Sequence, residues 1–250
     1  MELYGILGYP LGHSFSPAYF AQKFKSLGID ADYVKFELTS ADEILPIIKN
    51  HPELRGINVT IPYKQDVIHL LNEIAPEARA IGAVNCIRII RCANTGEVRL
   101  KGYNADVIGF IDSIRPLLKP HHRQALILGT GGASKAVVYG LQHLGIATQY
   151  VSRNKREGVI TYSDLTPEVL QHYKLIVNCT PCGMSPHTNE CPSLPYEALN
   201  EEHLLFDLIY NPEETLFLQK GRENGAVTKN GLDMLYGQAE ASWKFWHEQE

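Results

Sequence analysis

The chain has 250 residues, 44% hydrophobic and 20% charged, an ordinary globular balance with room for one large domain or two small ones. Its net charge of −5 runs against a nucleic-acid surface, which carries a basic excess. No apolar run approaches the roughly 18 residues of a membrane span, and no basic-then-apolar segment opens the chain, so a cytoplasmic protein with no membrane or nucleic-acid partner is expected.

In chain order, residues 3–7 read as a strand and 17–27 as a helix. The connection between them, "GYPLGHSFSP", is rich in proline, glycine and serine and places Ser14 and Ser16 just before Pro17. A strand over 32–38, a helix over 41–49 and a strand over 56–60 follow, then short helical pieces around 66–71 and 76–81. Residues 85–91 and 98–101, split by Asn94-Thr95-Gly96, read as a hairpin. These elements make one α/β unit with a mixed sheet. A helix over 105–118 leads to a strand "ALIL", a glycine turn and the helix "SKAVVYGLQHL". Strands at 148–151, 175–178 and 204–208 carry the alternation to about residue 227. Leu232, Leu235, Ala239, Trp243 and Trp246 then form an apolar helical stripe. The fold class expected is α/β with two domains. Residues 1–103 plus 232–250 form an N-terminal mixed-sheet substrate domain, and residues 104–231 a Rossmann-type dinucleotide-binding domain.

The turn Gly129-Thr130-Gly131-Gly132-Ala133 sits between a strand and a helix, the context a dinucleotide fingerprint requires. Gly129 suits the tight turn, Gly131 lets the backbone approach a pyrophosphate, and Ser134 is a small residue where a third glycine is usual. After the next strand comes Ser152-Arg153-Asn154-Lys155-Arg156, with no acid until Glu157. A carboxylate there would suit a free ribose hydroxyl, whereas an arginine fork suits a 2′-phosphate. NADP is therefore favoured over NAD. Cys179 and Cys182 have C-x-x-C spacing, but a structural zinc needs four ligands and only Cys191 follows, so no metal is expected. The pair reads as small apolar residues beside a buried strand, with a redox pair as the alternative.

Polar groups also gather at the strand ends of the first half: Ser14, Ser16, Thr60, Lys64, Asn85 and, opening the helix at 105, Asp106. Each has a bland reading, Ser16 as a helix N-cap and Asp106 as a first-turn charge among them. Together they fall where open α/β sheets bind ligands.

The segments "GHSFSP", "NVTIPYK", "GAVN", "GYNADVIGF", "ILGTGGASKA", "VSRN", "VNCTPCGM" and "GLDMLYGQA" resemble, in order, the motifs of shikimate dehydrogenases. That resemblance implies an enzyme that reversibly reduces 3-dehydroshikimate to shikimate with NADPH, as a monomer or homodimer. It implies that Ser14 and Ser16 hold the substrate carboxylate and that Thr60, Asn85 and Gln238 contact ring hydroxyls, with Tyr210 nearby. Lys64 and Asp106 would flank the reacting oxygen. Gly129 to Ala133, with Ser152, Arg153, Asn154 and Arg156, would take the cofactor, and Leu208 and Gly231 would lie beside the nicotinamide. The chain departs from the pattern at Ser152 and Asn154 around the arginine, at Ala105 for a usual Thr, at Cys182 for a usual Leu and at Leu208 for a frequent Met. A quinate or NAD-using dehydrogenase is the near rival, and a non-catalytic shikimate-binding sensor the distant one.

Overall fold

The computed structural model describes residues 1–12, 14–92 and 94–248. The chain divides into two compact units, Met1–Ala105 with Ala239–Glu250, and Asp106–Gln238.

The first unit holds β1 (Glu2–Gly8), α1 (Ser16–Leu27), β2 (Ala31–Glu37), α2 (Ile44–Asn50) and β3 (Leu54–Val59), then β4 (Glu73–Ile74), α3 (Pro76–Ile81), β5 (Cys86–Arg91) and β6 (Val98–Tyr103). Its sheet runs β2-β1-β3-β5-β6-β4. β1 pairs in parallel with both β2 and β3, whereas β5 runs antiparallel to β3 and β6. Alternate residues of β1 face opposite cores, as a two-residue period requires. Leu3 and Leu7 pack with Ile44, Leu54, Ile57 and Ile87, while Tyr4 and Ile6 join Phe20, Phe24, Tyr33 and Trp246. Trp246 lies over Gly56, where any side chain would run into the indole, and its Nε1 donates to the Ile87 carbonyl at 3.1 Å.

The second unit takes in α4 (Ala105–Ile114) from its second residue onward. It continues with β7 (Gln124–Leu128), α5 (Gly132–His143), β8 (Ala147–Ser152), β9 (Val159–Thr161), α6 (Pro167–His172) and β10 (Leu175–Asn178). β11 (Leu204–Asp207), α7 (Leu216–Glu223), β12 (Val227–Lys229) and the first half of α8 (Leu232–Trp246) complete it. The sheet order β12-β11-β10-β7-β8-β9 is parallel throughout, the doubly wound dinucleotide-binding topology.

Two helix expectations change. The helix expected over 105–118 stops at Ile114, because Pro116 cannot continue it, and Arg115–Leu117 form a 3₁₀ turn. The helix expected from residue 41 opens with a 3₁₀ turn capped by Ser40 and Glu43 before α2 begins. β4 and β9, of 2 and 3 residues, are too short to show a period. The first half of α8 packs on α4, with Met234 in one cluster with Phe110 and Ile114. A Cβ on Gly237 would lie 2.9 Å from Gly109 Cα, so two glycines let the helix backbones touch. Among the described residues no helix is long and apolar enough to cross a membrane.

Candidate active site

In the first sheet the chain leaves β1 toward β2 on one side, with β3 on the other, so the strand order reverses between β1 and β3. Ligands of open α/β sheets bind outside the carboxyl ends of strands at such a point. The connections after β1 and β3 touch there: Thr60 N–H donates to Leu7 O at 2.9 Å and Tyr9 N–H to Ile61 O at 3.1 Å. A Cβ on Gly8 would sit 2.5 Å from Thr60 Cγ2, which explains the glycine. The antiparallel β5 starts at the same edge, and Val59 N–H donates to Asn85 O at 2.8 Å. Ser14, Ser16, Thr60, Lys64 and Asn85 thus share one edge of one sheet.

Each is held locally. Leu11 N–H donates to the Glu37 carboxylate and Lys35 Nζ to Gly12 O, both at 2.6 Å, so two charged residues of β2 brace the segment before Ser14. His13 of the "GHSFSP" motif lies outside the described residues. Ser16 is not the N-cap of α1. Phe15 takes that position, and Ser16 is the buried first helical residue. Asn85 Oδ1 accepts from Ala105 N–H at 2.6 Å, which leaves its NH₂ as the group a ligand would meet. Lys64 is half-buried, and its carbonyl accepts from Val84 N–H at 2.7 Å.

In the second sheet the order reverses between β7 and β10. Gly129 follows β7 with φ +96°, a region that favours glycine, and a Cβ there would lie 2.8 Å from Thr180 Cγ2. Thr130, Gly131 and Gly132 are exposed and Ala133 half-buried. Gly131 caps α5 with no side-chain hydrogen bond, and both Gly131 and Gly132 face open space. The first N–H groups of α5 are therefore unobstructed for an anion. Ser134, in place of the third glycine, is buried and donates to Gly131 O at 2.7 Å, so its hydroxyl straps the turn. At the end of β8, Arg153, Asn154, Lys155 and Arg156 are exposed beside half-buried Ser152. The absence of a carboxylate in that run and the presence of two guanidinium groups fit a cofactor with a ribose phosphate.

Leu208 follows β11, and buried Gly231 packs on its carbonyl, where any Cβ would collide. Gly231 N–H donates to Ile209 O at 3.0 Å, and Tyr210 is 38% exposed. Asp106 occupies the first turn of α4 and is half-buried, and Gln238 lies on α8 beside the Gly109–Gly237 crossing.

Sequence reasoning missed Asp207. It is fully buried at the end of β11 and accepts from Thr215 Oγ1 at 2.6 Å, Asn178 Nδ2 at 3.0 Å and Ile209 N–H at 3.0 Å. Asn178 Oδ1 in turn accepts from Thr180 N–H at 3.0 Å and Oγ1 at 2.6 Å. One carboxylate thus ties together the segments after β10 and β11 and the start of α7. Its polar partners are all neutral, and burial pushes its pKa up to about 6. An acid closing the apolar run "LLFD" was the available signal. The five cysteines are free thiols. Burial, with a smaller contribution from the Asp207 charge, raises the Cys179 pKa well above the thiol range. Burial raises that of Cys182 too, so both read as packing groups rather than nucleophiles.

Residues 6–87 match the shikimate dehydrogenase substrate binding domain. The shikimate dehydrogenase (NADP(+)) of Carboxydothermus hydrogenoformans is 38% identical over 264 residues, covering 98% of this chain and 91% of that one. The chain belongs to the shikimate dehydrogenase family. A second family member, from Desulforamulus reducens, is 34% identical over 98% of this chain and 89% of its own. Among solved family structures, that of Aquifex aeolicus superposes with a TM-score of 0.85 at 31% identity, covering 99% of this chain and 92% of that one. The Thermus thermophilus shikimate 5-dehydrogenase, in complex with NADP(H) and shikimate, also gives 0.85, at 30% identity and 99% and 94% coverage. The two-domain α/β architecture, mixed sheet plus Rossmann-type sheet, is that of the family.

Proposed function

We propose that this chain catalyses the reversible NADP-dependent reduction of 3-dehydroshikimate to shikimate, the family reaction in the route to chorismate and the aromatic amino acids. The observation that carries the reading is the 38% identity across 98% of the chain to an NADP(+)-dependent shikimate dehydrogenase. The two strand-edge sites support it residue by residue.

Ser14 and Ser16 hold the substrate carboxylate. Hydroxyl donors satisfy it without burying an unpaired cation nearby. Thr60, Asn85 and Gln238 contact the ring hydroxyls with Tyr210 alongside, and Asp106 accepts from a hydroxyl. Fixing the ring by several bonds is itself catalytic, since misplacement by about 1 Å costs on the order of 100-fold in rate. The ammonium of Lys64 stabilises the negative charge that grows on the carbonyl oxygen and donates the proton that completes the alcohol. NADPH, when bound, supplies the hydride. The exposed amides of Gly131 and Gly132 receive its pyrophosphate and Arg153, with Arg156, its ribose phosphate, while Ser152, Asn154, Leu208 and Gly231 shape the rest of the site. The protein works in the cytoplasm as a monomer or homodimer.

The decisive experiment follows reduced cofactor while shikimate and quinate are each supplied with NADP and with NAD. Shikimate with NADP should give the highest kcat/KM. A preference for quinate or NAD would move the chain to the neighbouring activity, and binding of shikimate without turnover would make it a sensor.

A further inference from the structure

The buried carboxylate of Asp207 has no part in the roles above, yet its hydrogen bonds lead to two parts of the cofactor site. The orientation of its partner Asn178 follows from one fixed point. Thr180 N–H can only donate, and it meets the Asn178 side chain at 3.0 Å, so the atom there is Oδ1. Thr180 Oγ1 donates to the same oxygen at 2.6 Å. The NH₂ of Asn178 therefore faces the other way, to Asp207 Oδ1 at 3.0 Å and, more loosely, to Cys182 O at 3.5 Å. Cys182 N–H closes the turn by donating to Thr180 Oγ1 at 3.2 Å. Asn178 is fully buried, with its oxygen and its NH₂ both engaged. Its closest acceptor, and the only charged one, is Asp207.

What Asn178 holds in place is Thr180, and Thr180 lies on the glycine turn. Its Cγ2 stands where a Cβ on Gly129 would come within 2.8 Å. Asp207 Oδ1 also accepts from Ile209 N–H at 3.0 Å, which pins the segment whose Leu208 carbonyl packs on Gly231. Leu208 N–H donates to Asn178 O at 3.0 Å, so the two segments are joined a second time. We propose that Asp207 is a positioning residue for the cofactor: through Asn178 and Thr180 it sets the Gly129 turn, and through Ile209 the seat beside Leu208 and Gly231. The inference rests on the reading of the glycine turn as the pyrophosphate site. It divides the cofactor in two. The pyrophosphate and nicotinamide parts depend on Asp207, whereas its hydrogen bonds stop short of Arg153 and Arg156, which take the ribose phosphate.

Calorimetric titration of the full chain at pH 8, above the Asp207 value of about 6, tests this with NADP, adenosine 2′-phosphate and shikimate. Adenosine 2′-phosphate carries the ribose phosphate without the pyrophosphate or the nicotinamide. Asp207→Ala should raise Kd for NADP by about 5- to 30-fold and for the other two by less than about 2-fold. Asp207→Asn keeps an oxygen for Asn178 and Ile209, and should bring NADP back to within about 2-fold of the parent. An unchanged NADP Kd in Asp207→Ala overturns the proposal, as does an equal loss for adenosine 2′-phosphate or shikimate, which would mean general loosening. Asparagine as weak as alanine overturns it too. A parent that binds adenosine 2′-phosphate as tightly as NADP would remove the glycine-turn reading itself, so the two failures are distinct. Should the alanine variant not fold, Thr180→Val keeps the bulk against Gly129 and cuts the bond to Asn178. A rise in NADP Kd of about 3- to 10-fold is then expected, and no rise overturns the proposal.

Discussion

At the scale of single residues, the reaction asks an ammonium to stabilise and protonate an oxygen, and asks a guanidinium fork to select a phosphate. These demands separate in kinetics. Lys64→Ala should lower kcat by about 10²–10⁴, the usual worth of a positioned proton donor, and shift shikimate Kd by less than about 10-fold. Equal losses in the two would make Lys64 a binding residue only. Arg153→Ala should cut the preference for NADP over NAD by roughly 10- to 100-fold in kcat/KM ratios, because a charge-assisted pair to phosphate is lost while the glycine turn is intact. An unchanged ratio would assign the selection to Arg156 or Lys155.

Elements place these residues, and the α4–α8 pair shows how tightly. A Cβ on Gly109 would lie 2.7 Å from the backbone N of Gln238, an atom that cannot swing aside. Gly109→Ala should therefore cost about 1–3 kcal/mol and lower the melting temperature by roughly 3–10 °C, with shikimate KM rising because Gln238 moves. A variant that melts like the parent would show that the helices slide freely. The elements themselves were largely legible from pattern. β10 at 175–178 and α8 at 232–246 match their expected bounds, because a fully apolar run and a long stripe leave little freedom. Strands of 2 or 3 residues carry no period, and the stop at Ile114 needed more weight on Pro116. At the site, glycine turns and strand-end hydroxyls could be read from order in the chain. Asp207 could not, because its meaning comes from partners brought together only by folding. A lone polar residue inside an apolar strand was the one hint.

For the whole molecule, stability should depend on acidity through buried groups of opposite sign. Burial lowers the pKa of His122 and His203, and His122 Nδ1 already accepts from Lys119 N–H at 2.9 Å, so a proton there would face a donor. Folded values below the ordinary 6.5 mean stability that is present above pH 6.5 and lost as pH falls through the folded values. Asp207 works the other way. With a folded value of about 6 against 3.8, it favours the fold most below pH 3.8 and loses that contribution as pH rises through about 6. Asp207→Asn should therefore gain on the parent by about 2 kcal/mol between pH 4 and pH 7 in denaturant titrations. A pH-independent difference would mean the carboxyl titrates normally. Such titrations have a built-in reporter. The chain has 2 tryptophans, Trp243 and Trp246, and both lie on the half of α8 that belongs to the first unit, packed around Tyr4. Indole emission therefore watches that unit alone, while far-ultraviolet dichroism sums over both. If the two curves separate along the denaturant axis, the units let go one at a time, and the emission trace says which goes first.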